Sequence, residues 1–350
     1  MADRTLVFAI PGDLATPTGG YAYDRRLIAE LSGLGWRVDH LALPAGFPDP
    51  DAAALAQTAA LMRALAPGTT VMVDGLALGV LPDLAAEVAR RGRLVALVHH
   101  PLALETGVPH RRASALADLE RRALASAAAI LVTSPATGRT LVESFEVPLS
   151  RLTVAVPGTD PAPHARGSGG PGTRILTVGT LVPRKGHLDL VAALARLAEL
   201  DWSLDLVGSA DLEPAHAAAV RAAVEAHGLA GRIRLVGAIP RDALEAYYDG
   251  ADLFVLASHY EGYGMAYAEA VAHGLPVVGT TGGAIPDTLG RAAVLVPPGD
   301  PERLALALRP LLSDGDARAD LAARARDAAA ALPTWGATAR TVAAAIESLA

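Results

Sequence analysis

Residues 261–279 read EGYGMAYAEAVAHGLPVVG, and this stretch predicts a tight turn, a short helix and a buried strand in succession. Gly262 and Gly264 permit backbone conformations that strain other residues, so the turn can bring bare N–H groups against a ligand. Gly274 and Pro276 supply the stop that is expected after the last turn of a helix. A helix followed at once by an apolar strand is typical of a parallel α/β sheet.

Two glutamates in this stretch are separated by seven residues, Glu261 in the turn and Glu269 on the helix. Carboxylates accept hydrogen bonds from hydroxyls, and the N–H groups at the start of a helix face anionic oxygens. The pair therefore favours a polyol ligand that also carries anionic groups. The alternative for either residue alone is a solvated side chain, because Glu is usually exposed.

A second motif, RILTVGTLVPRKG at residues 174–186, places a glycine where an apolar strand ends and two adjacent cations in the loop that follows. Open α/β sheets bind ligands at the carboxyl edge of their parallel strands. Lys185 is the one lysine of the chain, since every other residue of the Lys/Arg type is an arginine. Because a compact ammonium acts as a point charge on phosphate, Lys185 is predicted to bind a phosphate group, and the alternative is a lysine that stands there by chance.

Short apolar runs alternate with Ala/Leu-rich helical patterns along the chain, which is typical of parallel βα units. The 350 residues exceed a comfortable single core, and a Pro/Gly/Ser-rich linker at 161–172 separates two halves. The pattern predicts an α/β fold of two doubly wound parallel-sheet domains with a cleft between them. The predicted strands are Thr5–Ile10, Arg37–Leu43, Thr70–Asp74, Leu94–Val98, Ala129–Thr133, Leu152–Val156, Arg174–Val178, Ser203–Val207, Ile233–Gly237, Leu253–Leu256, Pro276–Gly279 and Ala293–Val296.

Composition excludes several classes of function. The formal net charge is −7 and no long basic stretch occurs, so nucleic acid is not the expected ligand. The absence of cysteine removes disulfides, zinc-thiolate sites and thiol nucleophiles. The opening MADRTLVFAI has charged residues before a very short apolar run, which predicts a first strand and not a signal peptide. A soluble, cytoplasmic protein is predicted.

The motif E-G-[FY]-G-x4-E-A-x-A-x-G-x-P-V-V in residues 261–278 resembles the signature of family 4 retaining glycosyltransferases, which are sugar-nucleotide enzymes of the GT-B architecture. The resemblance implies two Rossmann-like domains that face a central cleft. An acceptor-side domain would occupy residues 1–160 and a nucleotide-sugar donor domain residues 173–320. Residues 321–350 would include a helix that packs back on the first domain.

The resemblance also implies residue roles. In that family the first acid of the motif contacts donor-sugar hydroxyls and the second holds the nucleotide ribose, which are the roles of Glu261 and Glu269. Lys185 matches a family lysine on the donor diphosphate. Arg184 is expected to supply a second charge there, because Thr180 stands where the family usually has an arginine. The implied donor-binding residues are Gly20, Gly179, Thr180, Val207, Ile239, Tyr263, Gly264, Met265 and Glu269.

Two histidines directly follow the strand Leu94–Val98, and histidines at the carboxyl end of a parallel strand point toward the cleft. The family carries a histidine just after this strand, beside the donor sugar and the transferred bond. The resemblance therefore places His99 among the catalytic residues, with Glu261, Lys185 and Arg184. It implies that His100 and Glu105 face the acceptor.

The loop after the first strand carries Gly19 and Gly20 just before a predicted helix with Tyr21 and Asp24. It resembles the glycine loop of the family, which implies acceptor-side roles for Gly19, Tyr21 and Asp24. The alternative is a flexible turn with no ligand, because paired glycines are common in loops. The loop lacks G-x-G-x-x-G, which argues against a dinucleotide oxidoreductase.

Two acidic triplets, Asp-Pro-Asp at 49–51 and Asp-Gly-Asp at 314–316, resemble the D-x-D metal motif of other glycosyltransferases. Both lie beside Ala-rich helices, where Asp is the expected cap or turn residue, so capping is predicted. H-E-x-x-H is absent and the paired histidines have no acid at helical spacing, so no metal is predicted.

The predicted helix at 110–122 places Arg111 and Arg122 on one face, about three turns apart. The acids between them dilute the charge, so a solvated face is favoured. Weak contact with an anionic membrane surface is the alternative.

Residues and resemblance together predict a retaining, metal-independent glycosyltransferase without a cofactor. It would move a sugar from a UDP- or GDP-sugar to a sugar, lipid or small-molecule acceptor and leave an α-linkage. The alternatives are another GT-B enzyme, such as a nucleotide-sugar epimerase or a sugar phosphorylase, and an inactive sugar-nucleotide-binding partner. Intact acids and Lys185 weigh against the inactive form.

Overall fold

The computed structural model describes residues 4–349, and the chain divides into two compact units. The first unit extends to Gly158 and resumes at Pro333, and the second comprises Thr159–Leu332. All twelve predicted strands are confirmed, each with its ends within two residues of the prediction. The strands are β1 (Thr5–Pro11), β2 (Arg37–Leu43), β3 (Thr70–Asp74), β4 (Arg93–Val98), β5 (Ala129–Val132), β6 (Leu152–Val154), β7 (Thr173–Val178), β8 (Trp202–Val207), β9 (Ile233–Gly237), β10 (Leu253–Val255), β11 (Val277–Thr280) and β12 (Ala293–Val296).

Helices connect nearly all successive strands, as parallel pairing requires. No helix within residues 4–349 is long and apolar enough to cross a membrane. The helices are α1 (Gly19–Gly33), α2 (Ala52–Arg63), α3 (Gly75–Leu78), α4 (Pro82–Arg91), α5 (His110–Ala125), α6 (Pro135–Phe145), α7 (His187–Ala195), α8 (Pro214–Ala226), α9 (Arg241–Asp249), α10 (Met265–Ala272), α11 (Ile285–Leu289), α12 (Pro301–Ser313), α13 (Gly315–Ala329) and α14 (Trp335–Glu347), with short 3-10 turns at Leu102–Leu104, Leu149–Arg151 and Pro183–Lys185.

The sheet of the first unit has the strand order β2-β1-β3-β4-β5-β6, and its pairings are parallel. Residues on both faces of β4 are buried, including Leu94, Val95 and Ala96, because helices cover the sheet on both sides. The chain reverses its direction of travel across the sheet between β1 and β3. That reversal is the topological switch point at which doubly wound sheets bind ligands.

The sheet of the second unit has the order β12-β11-β10-β7-β8-β9 and is also parallel. Counted from its own first strand, β7, this is the 3-2-1-4-5-6 order of dinucleotide-binding sheets. Its switch point lies between β7 and β10. The two units are therefore both doubly wound but have different strand orders, a difference that the alternation of strands and helices in the sequence did not reveal.

The chain returns to the first unit at Pro333, whereas we expected the crossing after about Leu321. The reason is that α13 belongs to the core of the second unit, in which Leu321 is buried. Only α14 lies with the first unit, where Thr338 donates from its hydroxyl to the Val156 carbonyl at 2.7 Å. Gly158 permits this approach, since a Cβ there would lie 2.1 Å from the backbone nitrogen of Trp335.

The predicted linker at 161–172 contains neither helix nor strand. It is nevertheless held along the second unit by hydrogen bonds. The Ala165 amide donates to the His273 carbonyl at 2.8 Å, and the Ser168 amide donates to Asp252 Oδ1 at 2.9 Å. This segment is therefore part of the second unit and not a free spacer.

Candidate functional site

A charge centre forms at the switch point of the second unit. Lys185 Nζ lies 2.7 Å from Glu261 Oε1, and Arg184 Nη1 lies 3.2 Å from Glu261 Oε2. The cations come from the loop after β7 and the acid from the loop after β10, the two strands between which the sheet order reverses. These side chains are only 8% to 18% exposed, so solvent screens their interactions weakly.

Glycines allow the two loops to meet at this point. Gly186 has φ +64°, and a Cβ there would lie 2.0 Å from the Ala257 carbonyl oxygen. At Gly208, after β8, a Cβ would lie 1.9 Å from the Gly179 carbonyl oxygen. The loops are further joined where the His259 amide donates to the Arg184 carbonyl at 2.7 Å. The cations are thus fixed by backbone contacts before any ligand arrives.

Glu261 is ionised in this environment. Burial alone would raise the pKa of its carboxyl, but the Lys185 and Arg184 charges and hydrogen bonds from Lys185 and Ser258 lower the pKa to about 2. The Ser258 hydroxyl donates to Glu261 Oε1 at 2.6 Å. Two cations share one carboxylate, so these three side chains together carry one net positive charge.

The Gly-Tyr-Gly turn leads into α10 and offers mainly backbone to a ligand. Gly264 has φ +96° and precedes the helix, which begins at Met265. The Tyr263 side chain is buried, and its carbonyl accepts a hydrogen bond from the Thr288 hydroxyl at 2.6 Å. Since the first N–H groups of a helix have no partner within it, the start of α10 presents donors.

Glu269 lies apart from the charge centre and has different partners. The Tyr248 hydroxyl donates to Glu269 Oε2 at 3.0 Å, and Arg241 Nη1 lies 3.7 Å from Oε1. Burial raises the pKa of the Glu269 carboxyl despite these contacts. The Tyr248 ring stacks on His273 with 4.7 Å between centroids, which fixes the position of its hydroxyl.

Three other predicted donor residues contribute through backbone or packing. The Val207 side chain is buried in the core, and its carbonyl accepts from the Gly179 amide at 2.8 Å. The Thr180 carbonyl accepts from the Val182 amide at 2.8 Å. Ile239 is partly buried and packs on the core of the second unit. Because the Val207 side chain is buried, it is not available to contact a ligand.

A second polar cluster forms in the first unit, again beside the switch point. His99 Nε2 lies 3.2 Å from Asp24 Oδ1 and 3.3 Å from Asp74 Oδ2. Asp24 comes from α1, Asp74 ends β3, and His99 follows β4. Gly20 lies against the ring, since a Cβ there would be 3.4 Å from His99 Cδ2. The structure therefore brings together three sequence-predicted residues, Gly20, Asp24 and His99.

The charges in this cluster depend on one another. Burial raises the pKa of Asp24 to about 7. The His99 charge acts to lower this pKa, and the Asp74 charge acts to raise it. Burial would also raise the pKa of Asp74, but hydrogen bonding and charge from His99 lower it. Burial alone would lower the pKa of His99, yet the Asp24 charge and hydrogen bonds that the ring donates to both acids raise it to about 10.

Asp24 does not fit the predicted acceptor-side role, because its side chain has no exposed surface. The other predicted residues of this region are more open. His100 Nε2 lies 3.1 Å from Glu105 Oε2, so the structure pairs these two. Gly19 begins α1, and Tyr21 donates from its hydroxyl to the Pro11 carbonyl at 2.7 Å.

The sequence interpretation missed three residues that hold the predicted ones. Asp74 contacts His99, Ser258 contacts Glu261, and Tyr248 contacts Glu269. Asp74 and Ser258 each follow an apolar strand run at its carboxyl end, which is a signal that the sequence does contain. Tyr248 gave no such signal, because it lies within a helical pattern, near the end of α9.

The two acidic triplets behave as predicted for caps. Asp51 accepts from the Ala54 amide at the start of α2, and Asp314 accepts from the Asp316 amide at the start of α13. Within residues 4–349, the grouping of three side chains with metal-ligand chemistry is Asp24, Asp74 and His99. 

The basic face of α5 is partly neutralised by neighbouring acids. Arg122 pairs with Asp83 of α4 at 2.9 Å, and Arg112 pairs with Asp49. Arg121 pairs with Asp118 on its own helix at 2.7 Å. These pairs leave less free positive charge for a membrane surface than the sequence suggested.

Comparison with known proteins shows which sequences this chain resembles. Residues 172–314 match the family described as glycosyl transferases group 1. The chain is 28% identical over 285 residues to an MMP alpha-(1->4)-mannosyltransferase of Mycolicibacterium hassiacum, covering 77% of this chain and 67% of the relative. It is 33% identical over 227 residues to a D-inositol 3-phosphate glycosyltransferase of Thermobispora bispora, covering 59% of this chain and 52% of the relative.

Solved structures resemble the chain over nearly its whole length. A sucrose-phosphate synthase from Thermosynechococcus elongatus superposes with a TM-score of 0.83 at 22% identity, covering 98% of this chain and 99% of that one. An Anabaena protein crystallised in complex with UDP-glucose superposes with a TM-score of 0.76 at 16% identity, covering 98% and 99%. These likenesses confirm the predicted GT-B fold class.

Proposed function

We propose that the chain is a retaining glycosyltransferase with a nucleotide diphosphate sugar as donor, since residues 172–314 match the family described as glycosyl transferases group 1. The observation that carries the proposal is the buried charge centre of Lys185, Arg184 and Glu261 at the switch point of the second unit. Its net positive charge suits a diphosphate. An acid between the two cations suits the hydroxyls of a sugar.

The donor diphosphate would lie against the Lys185 loop and the start of α10. Preorganised donors aimed at developing negative charge act most strongly in poorly solvated sites. Lys185 is only 15% exposed and its loop is fixed by the approach of Gly186 to Ala257. Departure of the nucleoside diphosphate would therefore be stabilised by charges that do not have to move.

Glu269 would hold the ribose of the nucleotide. Its Oε2 already accepts one hydrogen bond, from Tyr248, and a carboxylate can accept several. The raised pKa of this carboxyl reflects burial without full pairing, and ribose hydroxyls would supply the missing donors. UDP- and GDP-sugars are the donors to test, and the Anabaena neighbour was crystallised with UDP-glucose.

The stereochemical outcome proposed is retention, with an α-linkage in the product. Glu261 is a poor general base, because its pKa of about 2 leaves it little affinity for a proton. The leaving phosphate would instead take the acceptor proton on the face from which it departs. Lys185 and Arg184 would supply the charge that a divalent ion provides in other phosphoryl sites, so transfer would be metal-independent.

The acceptor is proposed to be a sugar, a lipid or another small polar molecule. Phosphorylated polyols come first, because curated relatives are named D-inositol 3-phosphate glycosyltransferase and mannosylfructose-phosphate synthase. 

The experiment is a thermal-shift screen with UDP- and GDP-sugars, followed by transfer assays with the stabilising donors. A ligand that binds only the native protein raises the melting temperature. We expect release of the nucleoside diphosphate and a product whose anomeric proton coupling in NMR is that of an α-linkage. A β-linked product from an α-linked donor would contradict retention. Release of free nucleotide without transfer would instead indicate an epimerase, and stabilisation without turnover an inactive binding protein.

A further inference from the structure

Three polar side chains from three different elements meet on one nitrogen in the first unit. Asp24 on α1 and Asp74 at the end of β3 both approach His99 Nε2, at 3.2 Å and 3.3 Å. Both acids are buried. Because a carboxylate can only accept, the ionised acid requires a proton on Nε2. The other ring nitrogen, Nδ1, lies on the opposite side of the ring from Nε2. It has no hydrogen-bond partner within residues 4–349.

The two acids act as one unit. Their carboxylate oxygens lie within 4.8 Å of each other beside His99 Nε2, and two buried carboxyls this close do not both ionise easily. As the pH falls through about 7, Asp24 takes up a proton, and the pair then carries about one negative charge. A protonated His99 balances that charge in a place where an uncompensated charge would be costly.

The remaining polar neighbours do not compete for this proton. Tyr23 lies edge-on to the His99 ring, with 5.3 Å between centroids, and donates from its hydroxyl to the Ala155 carbonyl. Burial raises the pKa of Tyr23, and burial with the nearby acids raises the pKa of Tyr21 to about 12, so both phenols stay neutral. Thr133 donates to the His99 carbonyl at 3.0 Å and fixes the backbone.

We infer that Asp24 and Asp74 are positioning residues, which hold His99 as an imidazolium with its Nδ1–H directed away from them as a fixed donor. His99 is 20% exposed, so the ring remains accessible to a ligand. The effect on turnover rests on the proposed function. The charge state of His99 does not depend on that function.

The pair predicts an unusual pattern among variants. Asp24→Asn leaves Asp74 as a full carboxylate, and Asp74→Asn leaves Asp24 to ionise in its place. Either single variant therefore keeps His99 protonated at neutral pH, with a pKa between its ordinary value near 6.5 and the wild-type value near 10. The double variant keeps only the burial, which lowers the pKa of a histidine.

The test is a ¹⁵N NMR titration of protein labelled at its ten histidines, with the His99 signals identified by their loss in His99→Gln. An imidazolium gives two similar nitrogen shifts and a neutral ring gives two well-separated ones. We expect an imidazolium at pH 8 in the wild type and a neutral ring at pH 7 in the double variant. The other histidine signals report whether each variant is folded, and the single variants suffice if the double variant is not.

Three results would overturn the inference: a neutral His99 in the wild type at pH 8, an imidazolium that survives in the folded double variant at pH 8, or single variants whose His99 pKa equals that of the wild type. A shift of the His99 signals on adding Zn²⁺ or Mg²⁺ would also overturn it, since a metal ion would then lie between the two acids and the His99 ring.

Turnover separates this inference from the proposed function. At pH 8 the double variant should lose roughly the same factor in kcat as His99→Gln, on the order of 100-fold, while each single variant loses less than about tenfold. The predicted NMR pattern in a protein that transfers no sugar upholds the positioning role and overturns only the proposed function.

Discussion

The Glu261→Gln substitution tests the charge centre of the second unit through stability as well as activity. The pKa of this buried carboxyl is lowered from 4.5 to about 2. A shift of that size corresponds to about 3 kcal/mol in favour of the ionised form in the folded protein. We therefore expect Glu261→Gln to lower the unfolding free energy of the second unit by about 3 kcal/mol at pH 7.

The sign of the pH dependence follows from a lowered folded-state pKa. Stability from the ionised carboxyl is fully present above the unfolded pKa of 4.5 and is lost as the pH falls toward 2. The difference between wild type and Glu261→Gln should therefore shrink with acid, to about 1 kcal/mol at pH 3.

The assay is urea unfolding followed by tryptophan fluorescence. Replacing Trp36 and Trp335 by Phe in every protein compared leaves Trp202 as the reporter of the second unit, because the chain has three tryptophans. The matched control is Glu225→Gln on the exposed face of α8, which we expect to change the unfolding free energy by less than about 0.5 kcal/mol.

A Glu261→Gln protein as stable as its parent at pH 7 would contradict the lowered pKa of Glu261, and so would a stability difference that stays constant from pH 7 to pH 3. Calorimetry with the nucleoside diphosphate supplies an independent check. Loss of the acid leaves Lys185 and Arg184 without their carboxylate, so affinity for the diphosphate should be kept or increased while turnover falls.

The other predictions concern the donor site. Lys185→Ala should lose roughly 2 to 4 kcal/mol of transition-state stabilisation, as measured by kcat/KM. Lys185→Arg should recover only part of this loss, because a planar guanidinium places its charge differently. Near-normal rates in Lys185→Ala would show that the loop takes no part in the mechanism. Glu269→Ala should weaken binding of the free nucleoside diphosphate, as measured by calorimetry. Tyr248→Phe should weaken it to a smaller extent, because its 3.0 Å hydrogen bond to Glu269 is lost. Unchanged affinity in Glu269→Ala would argue against the assignment of Glu269 to the ribose. Transfer should persist in excess EDTA, and activity that disappears and returns with Mg²⁺ or Mn²⁺ would show that a metal is needed.

The sequence alone predicted the secondary structure and the general fold because the signals for both are local. Twelve apolar runs bounded by turn residues became twelve strands, and Asp51 and Asp314 cap helices as their positions beside Ala-rich segments indicated. The Glu261 turn and the Lys185 loop were identified for the same reason. Each is a short motif in which glycine and a charged residue stand at fixed spacing.

Only the tertiary structure decided which side chains meet. The Lys185 to Glu261 pair joins residues 76 positions apart, and the Asp24 to His99 contact spans 75. Such pairs exist because the strand orders place β7 beside β10 in one unit, and in the other set β1, β3 and β4 next to one another. The residues of a strand are enough to predict that strand, but which strand lies beside it in the sheet depends on how distant helices pack. For that reason the sequence indicated His99 and Glu261 as site residues. The contact of Asp74 with His99, the contact of Tyr248 with Glu269 and the burial of Asp24 became evident only in the folded chain.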